Sequence, residues 1–243
     1  MAARKENLLL ASLGSQERER LEPFLRWVKV ELSEVLISPN KPITHVLFPY
    51  DAVTSTLQPL SDGTTIETGL MGIEGMVGIQ YWLGVPSTPT QTIVQVAGSG
   101  HRMTVKDFKR EVMDNPESRL DKLVGKYTHA FMNMTSQVAA CNRIHTIDQR
   151  MCRWLKLVHN RVRREEFQMR QEFMAQMLGV HRPTVSTAAN MLQKAGLITY
   201  SRGNMRILNA EELAAGACEC LQLMEAQFAR VFDHNSGNRH REK

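Results

Sequence analysis

Cysteine is missing from the first 140 residues, and the four that follow, Cys141, Cys152, Cys218 and Cys220, show no CxxC pairing. That spacing argues against zinc, iron–sulfur and disulfide frameworks. Cys218 and Cys220 are the one close pair, but on a helix their thiols would point about 200° apart, which suits neither a shared metal nor a bond. No metal ligands are therefore expected. Long apolar runs are missing too: nowhere do eighteen apolar residues follow one another, and Met1–Glu6 leads into a polar-broken segment rather than a signal-peptide core. The expectation is a soluble, cytoplasmic protein without a membrane partner. Acidic residues are scarce in one stretch: residues 145–208 carry eleven Lys/Arg against four Asp/Glu, whereas residues 1–144 carry fifteen of each. A cationic stretch beside a neutral domain is the footprint of a polyanion binder, because each neutralised phosphate releases condensed counterions.

At 243 residues the chain has room for two cores. Ser15 opens a short entry helix carrying Leu21 and Leu25. From Val35 to Met103 the texture is of short β-type runs, Ile43–Phe48, Val53–Leu57, Ile66–Leu70 and Thr92–Val96. They are separated by turns at Pro39-Asn40, Pro49-Tyr50-Asp51, Ser61-Asp62-Gly63 and Ala97–Gly100. Many short strands at this spacing predict a small sandwich or jelly roll. The pattern then turns helical: Thr104 caps Val105–Met113, Asn115-Pro116 breaks the chain, and a long helix runs to Arg143. In it Leu120, Leu123, Tyr127, Ala130, Met134, Val138 and Cys141 follow a near-heptad seam, which predicts a dimer interface, with packing onto the chain's own domain as the alternative. Further helices are expected over Ile147–Val162 and Glu211–Phe232, with a polar, disordered tail from His234 to Lys243. The expected division is a β domain over 1–116, a dimerisation helix over 117–143, a DNA-binding domain over 144–208, and a helix and tail over 209–243.

The most informative stretch begins at Arg170. A helix ends at Leu178, Gly179 supplies a left-handed turn, and a second helix starts near Arg182 with Pro183 in its first turn, where proline costs no hydrogen bond. Phe173, Met177, Val180, Val185, Ala189 and Leu192 sit where two crossing helices bury against each other. The other face of the second helix is short and polar, through Arg182, Thr184, Ser186, Thr187 and Asn190, as a helix lying in the major groove requires. Leu197–Leu208 then reads as a hairpin with Arg202-Gly203-Asn204 at its tip and Arg206 on its return strand. The whole predicts a winged helix-turn-helix on double-stranded DNA, with Arg170, Arg202 and Arg206 as further contacts.

These residues resemble the Crp/Fnr superfamily of transcription regulators. The similarity is strongest in Leu178-Gly179-Val180-His181-Arg182-Pro183-Thr184-Val185-Ser186 and Leu197-Ile198, and the order of elements before them is also similar. The resemblance implies an α+β fold: an N-terminal β-roll of the cyclic-nucleotide-binding type, a long dimerisation helix and the C-terminal winged helix-turn-helix. It also implies a homodimer reading two-fold symmetric sites, with Arg182 at the position of the family's base-contacting arginine. Pro183 and Thr187 stand where cAMP-receptor proteins carry charged base-reading residues, so a different target sequence is expected. If the protein activates transcription, RNA polymerase is a further expected partner.

The effector region departs from the family. The cassette positions are Gly75-Met76-Val77-Gly78-Ile79 with Thr90-Gln91, and the ribose glutamate and phosphate Arg-Ser pair are missing. From Gly75 to Gly100 there is no Lys or Arg to offset a buried phosphate. Gly75, Met76, Val77, Gly78, Thr90 and Gln91 remain the candidate pocket, for an effector other than cAMP. The N-terminal cysteine cluster of oxygen sensors is absent, and His45, His101 and His129 are lone histidines, so neither iron–sulfur nor haem is expected. Two rivals stand beside this reading. One is an architectural DNA binder in which the β-roll is only structural. The other is a metal oxygenase on the β domain, which needs two His and a carboxylate converging, whereas residues 35–103 hold only His45 and His101, without HxH or HxxxE spacing. The expectation is that the protein is not an enzyme.

Overall fold

Alternating apolar residues in the first hundred positions build two antiparallel sheets in the computed structural model, which describes residues 6–233. Two short helices, α1 (Leu8–Ala11) and α2 (Ser15–Leu21), precede β1 (Arg26–Val30), β2 (Val35–Ile37), β3 (His45–Pro49), β4 (Val53–Pro59) and β5 (Thr65–Met71). A single turn, α3 (Ile79–Trp82), leads to β6 (Gln91–Val96) and β7 (Gly98–Thr104). One sheet has the order β1-β7-β3 and the other β2-β6-β4-β5, which is the expected roll.

β7 occupies the stretch read as a turn. Gly98 and Gly100 are there because the backbones nearly touch: a Cβ on Gly98 would lie 2.5 Å from Ala52 N and one on Gly100 2.5 Å from Phe48 O. Glycine inside a strand marks such an approach as readily as it marks a turn.

After α4 (Val105–Phe108) and a π turn over Lys109–Met113 comes α5 (Arg119–Ile144), capped by Ser118, whose hydroxyl accepts from Asp121 N at 3.1 Å. Only His145 and Thr146 separate α5 from α6 (Ile147–Val162). Thr146 forms a capping box with Gln149. The remaining elements are β8 (Glu166–Gln168), α7 (Gln171–Leu178), α8 (Arg182–Lys194), β9 (Ile198–Ser201), β10 (Asn204–Ile207), α9 (Ala210–Ala215) and α10 (Cys220–Phe232). The expected C-terminal helix is thus two helices, broken over Gly216–Glu219. The tail from His234 onward lies outside the described residues.

The heptad seam of α5 is not a free surface. Leu120, Leu123, Tyr127, Ala130, Met134, Val138 and Cys141 are all buried within one chain, against the roll on one side and α10 on the other. The seam is core, because α10 folds back along α5 and covers the face a partner would need. β5 and the segment after it receive helix side chains at three glycines spaced by three: a Cβ on Gly69 would collide with the Phe131 ring, on Gly72 with Arg161, and on Gly75 with the Tyr127 ring. Gly75, Met76, Val77 and Gly78, candidates for an effector pocket, are buried in this packing, with Val77 bonded to the Leu47 backbone.

Two buried carboxylates join the roll to α6. Glu74 pairs with Arg161, Nε to Oε1 at 2.9 Å, and that guanidinium also lies 5.6 Å from the Phe228 ring centre. Glu67 accepts from Ser55 Oγ at 2.5 Å, Gln95 Nε2 at 3.1 Å and Trp154 Nε1 at 3.2 Å. Burial pushes its carboxyl above the usual carboxylate range, against the pull of these donors and of the nearby Arg153 charge.

The cysteine expectation also needs correction. Cys218 lies in the turn before α10, with Glu219 at the cap and Cys220 on the first turn, so the helical 200° separation does not apply. The turn meets the C-terminal end of α5, where Cys141 and His145 wait one helical turn apart. One ligand atom from each of Cys141, His145, Cys218 and Cys220 lies within 4.8 Å of all the others.

Candidate nucleic-acid interface

Gly179 closes α7 with φ +60°, a conformation open to glycine at little cost, and this sets the crossing angle onto α8. Arg182 and Pro183 occupy the first turn of α8. α7 packs against α8 and against β5 of the roll, with Met174, Met177 and Leu178 of α7 and Val185, Ala188, Ala189 and Leu192 of α8 all buried and Met177 meeting Gln95 of the roll. The opposite side of α8 is open, with Arg182, Thr184, Thr187 and Asn190 exposed and Ser186 half-buried.

That open face is partly organised by α7. Gln171 Oε1 accepts from Ser186 Oγ at 2.9 Å and from Arg182 Nε at 3.3 Å, and Arg182 Nε also lies 3.2 Å from Glu172 Oε1. Both members of the Arg182–Glu172 pair are about two-thirds exposed, so the pair holds the guanidinium only weakly. Thr187 turns its hydroxyl back to Pro183 O at 3.1 Å.

The wing follows from a two-residue turn. Arg202 at φ +49° and Gly203 at φ +81° both take left-handed angles, which matches the twist of the flanking strands. β8 adds a third strand, giving the order β8-β10-β9. Its Phe167 and the following Met169 point inward and are buried.

Arg170, Arg182 and Arg202 come from three different segments, yet they line one cleft of about 340 Å³ together with Gln171, Glu172, Tyr200 and Gly203. Three guanidiniums around the start of a helix form a cradle for an anion, since the first N–H groups of α7 also point there. Tyr200 is half-buried at this edge, and burial raises its phenol above the ordinary value. Arg206 stands apart from this cleft on the central strand β10, exposed and 3.3 Å from Glu165. Gln171, Glu172 and Tyr200 were not among the residues expected from the sequence. The position of Gln171 at a helix start beside Arg170 was the available signal.

The candidate effector residues do not form one site. Val77 lines a small hollow of about 160 Å³ with Thr44, His45 and Arg102, among others, whereas Thr90 and Gln91 are not part of its lining. Thr90 is bonded to Thr88 at 2.9 Å.

Among the described residues no helix is long and apolar enough to cross a membrane. Residues 149–215 match the family model of the Crp-like helix-turn-helix domain. The fold is shared with FixK2 from Bradyrhizobium japonicum, at a TM-score of 0.65 and 14% identity, over 80% of this chain and 98% of that one. A CRP-family transcriptional regulator from Thermus thermophilus superposes with a TM-score of 0.61 at 15% identity, over 79% and 99% of the two chains. The c-di-GMP responsive global regulator CLP from Xanthomonas campestris does so with 0.61 at 13%, over 81% and 100%. No curated protein matches the sequence. Residues 149–215 are a Crp-like helix-turn-helix domain, set in a chain with the fold of the Crp/Fnr transcription regulators.

Proposed function

We propose that the protein is a homodimeric, sequence-specific transcription regulator that reads two-fold symmetric DNA sites through α8 and answers to an effector other than cAMP. The observation that carries the DNA reading is the convergence of Arg170, Arg182 and Arg202 on one cleft beside the exposed polar face of α8. In this reading Arg182, with Thr184, Ser186, Thr187 and Asn190, meets base edges, while Arg170, Arg202 and Arg206 meet phosphates. The cost of an exposed Arg182–Glu172 pair is small, so DNA can displace Glu172 without a large penalty. Against cAMP stand the missing ribose carboxylate and phosphate arginine and the packing of Gly75–Gly78. RNA polymerase is a further partner in this reading if the protein activates transcription, and the reading covers activator and repressor alike.

The test is a salt titration of binding to operator, altered operator and random duplex. Arg182→Ala should cost about 1–3 kcal/mol on the operator and little on random DNA. Arg202→Ala should weaken both alike and lower the slope of log affinity against log salt by about one. Uniform loss from Arg182→Ala, with a shallower slope, would move base reading to Ser186, Thr187 and Asn190.

With the buried seam excluded, the dimer surface moves to the opposite face of α5. Gly125, His129, Met132, Ser136, Ala139 and Arg143 repeat there in steps of four and three, and Met132 at the middle is 60% exposed. Met132→Glu should produce a folded monomer by sedimentation, whereas Met134→Glu should unfold the chain. A Met132→Glu dimer at micromolar concentration would place the interface elsewhere.

A further inference from the structure

We propose that Cys141, His145, Cys218 and Cys220 form a mononuclear, tetrahedral site for a thiophilic divalent cation of the zinc class, tying the end of α5 to the turn before α10. The four ligand atoms lie within 4.8 Å of one another. Two of the edges are shorter still: Cys141 Sγ to Cys218 Sγ is 3.5 Å and Cys220 Sγ to His145 Nδ1 is 3.6 Å. Bonds of about 2.3 Å to sulfur and 2.0 Å to nitrogen place tetrahedral ligands roughly 3.5–3.8 Å apart, so little movement is needed to close on one ion. A polynuclear iron–sulfur cluster would set its thiolates on different irons and so further apart.

The surroundings are those of a metal site rather than of idle thiols. His145 offers Nδ1 to the cluster while Nε2 lies 3.1 Å from Glu219 Oε2, so the carboxylate orients the ring and fixes the tautomer that leaves Nδ1 free to ligate. The Gln137 amide donates to Cys220 Sγ at 3.0 Å, which treats that sulfur as an acceptor. Three thiolates and a neutral imidazole around a divalent ion leave one negative charge. Buried Arg150, on the adjoining α6, is available to balance it, since its Nε has no hydrogen-bond partner among the described residues. All three cysteines are buried and the set provides four protein ligands, leaving no open position. Closed coordination of that kind is structural rather than catalytic.

The ligands also have a mechanical meaning. Cys141 ends the helix of one domain, His145 is in the two-residue link, and Cys218 and Cys220 belong to the turn that follows the winged domain. One ion would therefore hold both sides of the interdomain link at a fixed angle. This inference does not depend on how α8 reads DNA.

The experiment uses the full chain without a histidine tag, purified under reductant. Elemental analysis should find one zinc per chain. After chelation and titration with Co²⁺, thiolate-to-cobalt charge transfer and strong visible d–d bands should saturate at one equivalent, and Zn²⁺ should displace them. Cys218→Ser and His145→Gln should abolish the tetrahedral cobalt spectrum, while Cys152→Ser, at the cysteine outside the set, should retain it. Glu219→Gln should weaken Zn²⁺ binding by about 10–100-fold without changing the stoichiometry. If a ligand variant fails to fold, the titration of the wild-type chain alone decides. A reduced chain with neither bound zinc nor a tetrahedral cobalt spectrum would overturn the site. So would a Cys141–Cys218 disulfide found in place of metal, or an iron–sulfide chromophore.

Discussion

Glu67 and Glu74 are both buried in the roll and both meet α6, yet the fold handles them in opposite ways. Glu74 faces a cation, with Arg161 at 2.9 Å. Glu67 is surrounded by neutral donors from Ser55, Gln95 and Trp154, with Arg153 acting at longer range, and burial outweighs them. The lesson is that the same residue type at one interface can be either a fixed ion pair or a carboxyl whose charge depends on pH. The docking of α6 on the roll contains one of each.

The sharpest way to separate them is to remove the cation. Arg161→Ala leaves Glu74 buried without its partner and should cost about 3–5 kcal/mol in urea denaturation. The double change Glu74→Gln with Arg161→Met should recover most of that loss, because it removes the uncompensated charge and keeps the volume. A loss below about 1 kcal/mol for Arg161→Ala would mean that Glu74 finds water, and the contrast with Glu67 would fail.

At the other carboxylate the effects should be smaller. Trp154→Phe deletes the indole donor and should cost about 1–2 kcal/mol at neutral pH. Ser55→Ala removes one donor and should cost about 1 kcal/mol. It should also raise the Glu67 pKa further, which a shift of the stability–pH curve would register.

Glu67→Gln should have the least effect and should differ in sign. Because burial raises the folded pKa of Glu67, its contribution is fully present below the ordinary carboxylate range and is lost as pH rises through the raised value. Glutamine does not titrate, and Gln95 Oε1, which has no hydrogen-bond partner among the described residues, can accept from the new amide after a flip. Thermal melts at pH 5 and pH 8 should therefore show the variant gaining on the wild type as pH rises. A constant gap between the two would show that Glu67 does not change charge over this range.

The winged domain was legible in the sequence because its signals are local. Gly179, Pro183 and the apolar spacing of Met177, Val185, Ala189 and Leu192 each fix a backbone feature within a few residues. Even so β8 was missed, although Glu166-Phe167-Gln168-Met169 alternates, because the flanking arginines read as a basic link. The strands β3 to β6 were also legible, whereas β7 was hidden by its glycines. What could not be read was which way a stripe faces. The heptad spacing on α5 reports that Leu120 to Cys141 are buried, but not by what, and here the answer is the roll and α10 of the same chain. The gathering of Cys141 with Cys218 and Cys220 was out of reach for the same reason. It depends on α10 reversing at Gly216–Glu219, which periodicity merged into one long helix. For the effector, the two glycines that resembled a phosphate cassette serve packing and a turn: Gly75 lies against the Tyr127 ring, and Gly78 sits beside Val46 with φ +95°.

The row of glycines along and just after β5 limits how the two domains can move. Gly69, Gly72 and Gly75 act as three pegboard holes filled by Phe131, Arg161 and Tyr127. A slide of α5 by one helical turn, about 5.4 Å, would lift its two rings out of their holes and press them on neighbouring backbone that has none. Translation along the roll is thereby blocked, while tilting about the filled holes is not. Any swing of the winged domain about the link at His145 and Thr146 would also have to release α7, which packs directly on β5 and whose Gln176 meets Thr65.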